Sequence, residues 1–115
     1  MNLIKFSKFP PEGTRGTNWK TTAGNWGNIV PSNYIKCANN NIINIIQIVT
    51  KNGIDNLDEI FTVKNIDMVI IGFSDLSRSL GFPGNIRNTA VKKSMNYIFD
   101  KANKKYTFRS FLFIN

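Results

Sequence analysis

From Ile42 to Val49 the chain reads Ile-Ile-Asn-Ile-Ile-Gln-Ile-Val, a nearly unbroken apolar run rich in β-branched side chains. A run of that length predicts a strand covered on both faces, as in a parallel sheet. Just beyond it Ile54, Leu57, Ile60 and Phe61 recur at helical spacing, with Asp55, Asp58 and Glu59 turned to solvent. Asn52-Gly53 alone would signal a hairpin turn, but the helical spacing that follows outweighs it. A second covered strand is predicted from Ile66 to Gly72, and the polar, glycine-rich stretch Phe73 to Asn88 reads as a loop. Val91, Met95, Ile98 and Ala102 then share one face of a helix running from Thr89 to about Asn103. The apolar segment Phe108 to Ile114 is the candidate for a further strand. The order βαβα, with that possible last strand, predicts an α/β protein built on a parallel sheet or barrel.

The first third of the chain has no such period. Phe9-Pro10-Pro11-Glu12-Gly13-Thr14-Arg15-Gly16 cannot lie inside a helix, because adjacent prolines fix φ and remove N–H donors while the glycines admit positive φ. It predicts an ordered turn or an extended loop. The stretch that follows, as far as Ser32, holds Trp19, Gly24, Trp26, Gly27 and Pro31 and reads as a long irregular loop anchored by its two tryptophans. No internal repeat is present.

At 115 residues the chain is bounded to one domain, spanning 1–115. Lys and Arg number 15 against 7 Asp and Glu, a formal net charge of +8, which raises the question of an anionic partner. Lys92, Lys93, Lys101, Lys104, Lys105 and Arg109 crowd the last quarter. On the predicted helix the lysines fall opposite the apolar face, so a solvated surface is the simpler reading and a nucleic-acid or anion-binding module without catalysis the alternative. The lone Cys37 has no partner for a disulfide or a zinc site, and with no histidine to activate it, it is expected to serve packing. No signal-peptide pattern opens the chain and no run approaches the roughly 18 apolar residues of a membrane span, so a cytoplasmic protein is expected.

In parallel α/β proteins reactive groups gather where strands end and lead into helices. Here those places are Gln47 to Lys51 and Gly72 to Ser79. Gly72-Phe73-Ser74-Asp75-Leu76-Ser77 combines a carboxylate, two hydroxyls and backbone N–H groups directly after a strand. An aspartate there can bind a hard cation and the amides can hold a carboxylate; the same residues can equally cap a short helical turn.

Five blocks of residues, taken together, carry a resemblance. Phe9 to Gly16, Gln47-Ile48, Asn56-Leu57-Asp58-Glu59-Ile60, Val69-Ile70-Ile71-Gly72 with Asp75-Leu76-Ser77, and Leu80-Gly81-Phe82-Pro83-Gly84-Asn85 are similar in order and spacing to the HpcH/HpaI aldolase/citrate lyase family, the class II 2-oxo acid aldolases. The resemblance runs over about 4–106 and leaves 107–115 as a divergent tail. It implies part of a (β/α)₈ TIM barrel in which Mg²⁺ or Mn²⁺ supports cleavage of a 4-hydroxy-2-oxo acid to pyruvate and an aldehyde. It further implies that Gln47 contacts substrate, that the backbone at Ser74 and Asp75 holds the substrate carboxylate, and that Asp75 is a metal ligand. The Pro-Pro-x-Gly-x-Arg-Gly turn resembles the segment that opens the family's active-site loop, with Arg15 shaping it.

Departures from the family pattern carry their own expectations. Val49 stands where the resemblance implies a second metal-ligand glutamate, so metal binding is expected to be weakened or lost. Phe73 and Ser74 replace a pair of small residues. A complete barrel takes about 250 residues, and the arginine and histidine of the family's catalytic apparatus have no counterpart in this chain. Open strand edges are expected to require a complementing chain or a homo-oligomer, and the chain is expected to be inactive alone.

Overall fold

A computed structural model describes residues 3–105, apart from the side chain of Ile4. The chain divides into two compact units, one ending at Asn44 and one beginning at Ile45.

The first unit opens with helix α1 (Leu3–Ser7) and turns at Phe9 to Gly13, where the Pro10-Pro11 peptide bond is cis. As the prolines require, this stretch is a turn: the Gly13 N–H donates to Phe9 C=O at 3.1 Å and the Arg15 N–H to Lys8 C=O at 2.9 Å. The loop expected to extend to Ser32 is more ordered than its sequence suggested. It contains a 3₁₀ segment, Thr22–Gly27, and helix α2 (Pro31–Asn41) starts inside the stretch read as irregular. Pro31 sits in the first turn of α2, where its missing N–H is no loss. Asparagines at 39, 40 and 41 are poor helix formers, and α2 is held instead by what it buries. Asn39 is buried; its side-chain oxygen accepts the Phe9 N–H at 2.8 Å, and its amide donates to Phe9 C=O at 3.0 Å and to Glu12 Oε1 at 3.3 Å. Cys37 is exposed on α2 rather than packed, and Trp26, in the left-handed region at φ 55°, is 69% exposed and anchors nothing. Trp19 does anchor the loop, its ring centroid 6.4 Å from that of Phe9 and 5.8 Å from that of Tyr34.

The second unit follows the predicted order in compressed form. Strand β1 (Ile45–Ile48) pairs in parallel with β2 (Met68–Ile71), with Ile45 opposite Met68 and Ile48 opposite Ile71. Both strands are shorter than the apolar runs that announced them. The expected burial on both faces does not hold for β1: Ile48 is buried, whereas Ile45 is 51% exposed and Gln47 is exposed. Alternation explains this, since Ile46, Ile48, Val69 and Ile71 share the face turned towards the core while Ile45 and Gln47 point the other way. Between the strands the single predicted helix is two, α3 (Lys51–Asp55) and α4 (Leu57–Ile60). The break falls at Asn56, whose side-chain amide donates to Asn52 C=O at 2.8 Å. Ile54 and Ile60 are half-buried and Leu57 and Phe61 buried, as their spacing required, with Asp55, Asp58 and Glu59 exposed.

The loop expected from Phe73 to Asn88 is the largest correction, because it opens with a helix, α5 (Phe73–Ser79). Phe73, Leu76 and Ser77 are buried, so one side of this short helix belongs to the core. It stops in a Schellman motif, with the Phe82 N–H donating to Ser77 C=O at 2.8 Å and the Gly81 N–H to Arg78 C=O at 3.0 Å. Gly81 adopts φ 87°, a conformation that side chains resist. Gly81→Ala is therefore expected to cost about 1–2 kcal/mol in a urea melt, with Gly81→Asn losing less; an unchanged midpoint would remove the motif from the account. Helix α6 (Thr89–Lys105) begins where predicted, Asn88 Oδ1 accepting the Ala90 N–H at 2.8 Å. It packs on β2 and buries Val91, Ile98 and Ala102. Phe108 to Ile114 lies outside the described residues. No helix among those described is long and apolar enough to cross a membrane.

Candidate active site at the strand ends

Parallel pairing brings the C-terminal ends of β1 and β2 together, and the ladder continues one step further as the Gly72 N–H donates to Ile48 C=O at 3.0 Å. Gly72 stands where the ends of β1 and β2 meet. A Cβ there would stand 2.5 Å from Gln47 Nε2 and 2.7 Å from Val49 Cγ1. Glycine at 72 thus lets Gln47 and Val49 lie across the entry to α5. That requirement is invisible in the sequence, where Gly72 only ends an apolar run.

Gly72 also occupies the N-cap position of α5 and has no side chain to bond the first turn. The N–H groups of the first turn, among them those of Ser74 and Asp75, consequently have no helical acceptor and are offered to whatever lies beyond the strand ends. Ser74 and Asp75 are exposed. The buried Ser77 hydroxyl donates to Ser74 C=O at 2.9 Å, which fixes the backbone of this turn. On the β1 side Thr50 caps α3, its Oγ1 accepting the Gly53 N–H at 3.1 Å, and the Lys51 N–H donates to Ser79 Oγ at 2.9 Å. The last bond ties the loop after β1 to the end of α5, so the segments carrying Gln47 and Asp75 are held to each other at both ends. The structure therefore places Gln47 against Gly72 and puts Ser74 and Asp75 on the turn that follows.

Arg78 was not singled out by the sequence, although its i,i+3 spacing from Asp75 was a usable signal. Its Nη2 donates to Asp75 Oδ1 at 2.8 Å, both side chains being more than half exposed. The donor set for a divalent cation is poor. Asp75 is a single carboxylate already paired with a guanidinium, Gln47 brings only a neutral amide, and Val49 brings no oxygen. Among the described residues no group of three or more His, Cys, Asp or Glu side chains comes together. The residues present do not fit Mg²⁺ or Mn²⁺.

Some of the other charged candidates are engaged in structure and the rest face solvent. Lys101, counted in the basic cluster, bonds Asp58 at 2.6 Å, joining α6 to α4, and that hydrogen bond raises its pKa. Lys92, Lys93, Lys104 and Lys105 are exposed, as a solvated helix face requires, and Arg109 lies outside the described residues. In the N-terminal unit the Lys8 ammonium donates to Glu12 at 2.6 Å and lowers the carboxyl pKa. Arg15 lies 4.7 Å from the Phe9 ring centroid, at a cleft of about 200 Å³ also lined by Trp19 and Tyr34.

Comparison with known proteins gives the family and the fold. A sequence model of the HpcH/HpaI aldolase/citrate lyase family matches residues 1–113. The 5-keto-4-deoxy-D-glucarate aldolase of Shigella boydii is 34% identical over 99 residues, covering 86% of this chain and 38% of the relative. The enzyme of the same name from Escherichia coli K12 gives the same figures. Among solved structures, an HpcH/HpaI aldolase/citrate lyase family protein from Burkholderia cenocepacia superposes with a TM-score of 0.76 at 26% identity, covering 89% of this chain and 40% of the other. The citrate synthase SbnG superposes with a TM-score of 0.68 at 30% identity, covering 89% and 37%. The chain thus spans about two-fifths of the length of the proteins it matches.

Proposed function

The chain belongs to the HpcH/HpaI aldolase/citrate lyase family, and on that footing we propose that it supplies the carboxylate-holding part of a carbon–carbon lyase. The substrates in this reading are 4-hydroxy-2-oxo acids, split to pyruvate and an aldehyde. One observation carries most of the support: the approach of Gln47 to Gly72, directly before the uncapped first turn of α5. In the proposed role the Ser74 and Asp75 N–H groups hold the carboxylate of a 2-oxo acid, and the Gln47 amide hydrogen-bonds an oxygen of the same molecule. A small oxo acid suits such a site, because charge-assisted hydrogen bonds to backbone N–H groups are stronger than those to neutral acceptors.

Cleavage needs a base to take up a proton and a cation or set of donors to stabilise the charge that develops on the oxo oxygen. No histidine is present, and Asp75 is paired with Arg78. We therefore assign carboxylate binding to Gln47, Ser74 and Asp75, and the proton transfer to groups outside this set of residues.

Titration of ¹⁵N-labelled chain with pyruvate tests the binding assignment. Shifts are expected at the amides of Gly72, Ser74 and Asp75, and Gln47→Ala is expected to diminish them. Shifts confined to the lysines of α6, or none, would overturn it. Loss of pyruvate methyl protons in D₂O above a protein-free control would overturn the expectation that the chain is inactive alone.

A further inference from the structure

We infer that the strand-end site of this chain has become independent of divalent metal, the guanidinium of Arg78 serving as the counter-charge of Asp75 and Val49 closing the place from which a second carboxylate would reach it. Members of the family are generally divalent-metal-dependent aldolases, whereas the donors at these strand ends are too few for such an ion. A hard cation is held by several oxygens, and its affinity is set by how many of them carry charge. Asp75 offers one carboxylate, and its Oδ1 is bonded at 2.8 Å to Arg78 one turn along α5. An exposed pair of this kind is weak by itself and a cation with good company could displace it. The company is missing. Val49 Cγ1 is among the atoms nearest to where a Cβ on Gly72 would stand, so an apolar branched side chain fills the ground between β1 and the start of α5. The nearest polar group there is the neutral Gln47 amide. Two further carboxylates of this unit are committed away from the strand ends, Asp55 to Lys51 and Asp58 to Lys101.

Val49 and Arg78 act in the same direction. Val49 brings no negative charge to the cation's surroundings, and Arg78 brings a positive charge to the one carboxylate there. Arg78 then balances the charge of Asp75 without any ion.

Titration of the 115-residue chain with Mn²⁺, following the electron paramagnetic resonance signal of the free ion, tests this with no substrate present, so its outcome is separate from that of the pyruvate experiment. The chain and its Asp75→Asn variant are expected to bind Mn²⁺ equally weakly. Val49→Glu is expected to tighten binding by at least about tenfold, Val49→Glu with Arg78→Ala to tighten it further, and Asp75→Asn to abolish the gain in either background. Val49→Gln, of the same shape but neutral, is expected to give no gain. The inference is overturned if Asp75→Asn alone weakens Mn²⁺ binding about tenfold or more, since Asp75 would then already be a metal ligand. It is equally overturned if Val49→Glu, with an unchanged circular dichroism spectrum, brings no gain that depends on Asp75.

Discussion

Replacing Asn39 by leucine is expected to destabilise the N-terminal unit by about 2–4 kcal/mol, although the two side chains are close in size and α2 favours leucine. Asn39 and Phe9 are each 4% exposed. The Asn39 side chain accepts the Phe9 N–H and donates to the Phe9 C=O, so one amide satisfies both main-chain groups of a buried residue 30 positions away. Leucine can do neither. The carbonyl keeps the Gly13 N–H at 3.1 Å, but the Phe9 N–H is left buried without a partner, which alone costs about 1–3 kcal/mol. Hydrogen exchange at the Phe9 amide should accelerate correspondingly, and the emission of Trp19, whose ring lies against Phe9, should shift at lower denaturant. Asn39→Asp is the informative companion. Its carboxylate can still accept the N–H but can no longer donate, and it faces Glu12, so it should fall short of wild type. Unaltered exchange at the Phe9 amide in the Asn39→Leu variant would show that the clamp is absent in solution.

Leu76→Ala is expected to cost about 2–5 kcal/mol and to disturb the strand-end site without touching it. Leu76 is fully buried in a core that also holds Leu57, Val91 and Ile98. Helix α5 has only seven residues, too few to stand without tertiary packing. Losing its main apolar contact should loosen the turn that carries Ser74 and Asp75. The expected signature is a lowered denaturation midpoint together with displaced or broadened amide signals from Gly72 to Ser79. Asp75→Ala, at an exposed position, should change stability by no more than about 0.5 kcal/mol. Equal effects from the two changes would mean that α5 is not anchored through Leu76.

What could be read from the residues alone follows a physical division. The periods of β2 and α6 were legible because each element buries a face in its own repeat, and that repeat is written along the chain. The helix from Thr89 was placed to the residue at its start, and Leu57 and Phe61 were buried as their spacing required. That Gln47, Ser74 and Asp75 lie where β1 and β2 end was legible from the order of the strands, while the roles proposed for them come from the resemblance to the family. Helix α5 was not, since Phe73 and Leu76 are two apolar positions in a polar, glycine-rich stretch, and two points do not make a period. Helix α2 was hidden for the opposite reason: its most buried position is an asparagine, whose worth depends on a bond to Phe9 that no local pattern announces.

The parallel α/β order, the buried face of the helix from Thr89 and the family were thus written in the residues themselves, because these depend on neighbours along the chain or on their order. That Gly72 must lack a side chain, that Arg78 pairs with Asp75, and that one face of β1 stays open while the other is buried came from the folded chain alone. Each of those depends on which atoms meet across the fold or across a turn, and side-chain type leaves that open until the backbone has set the distances.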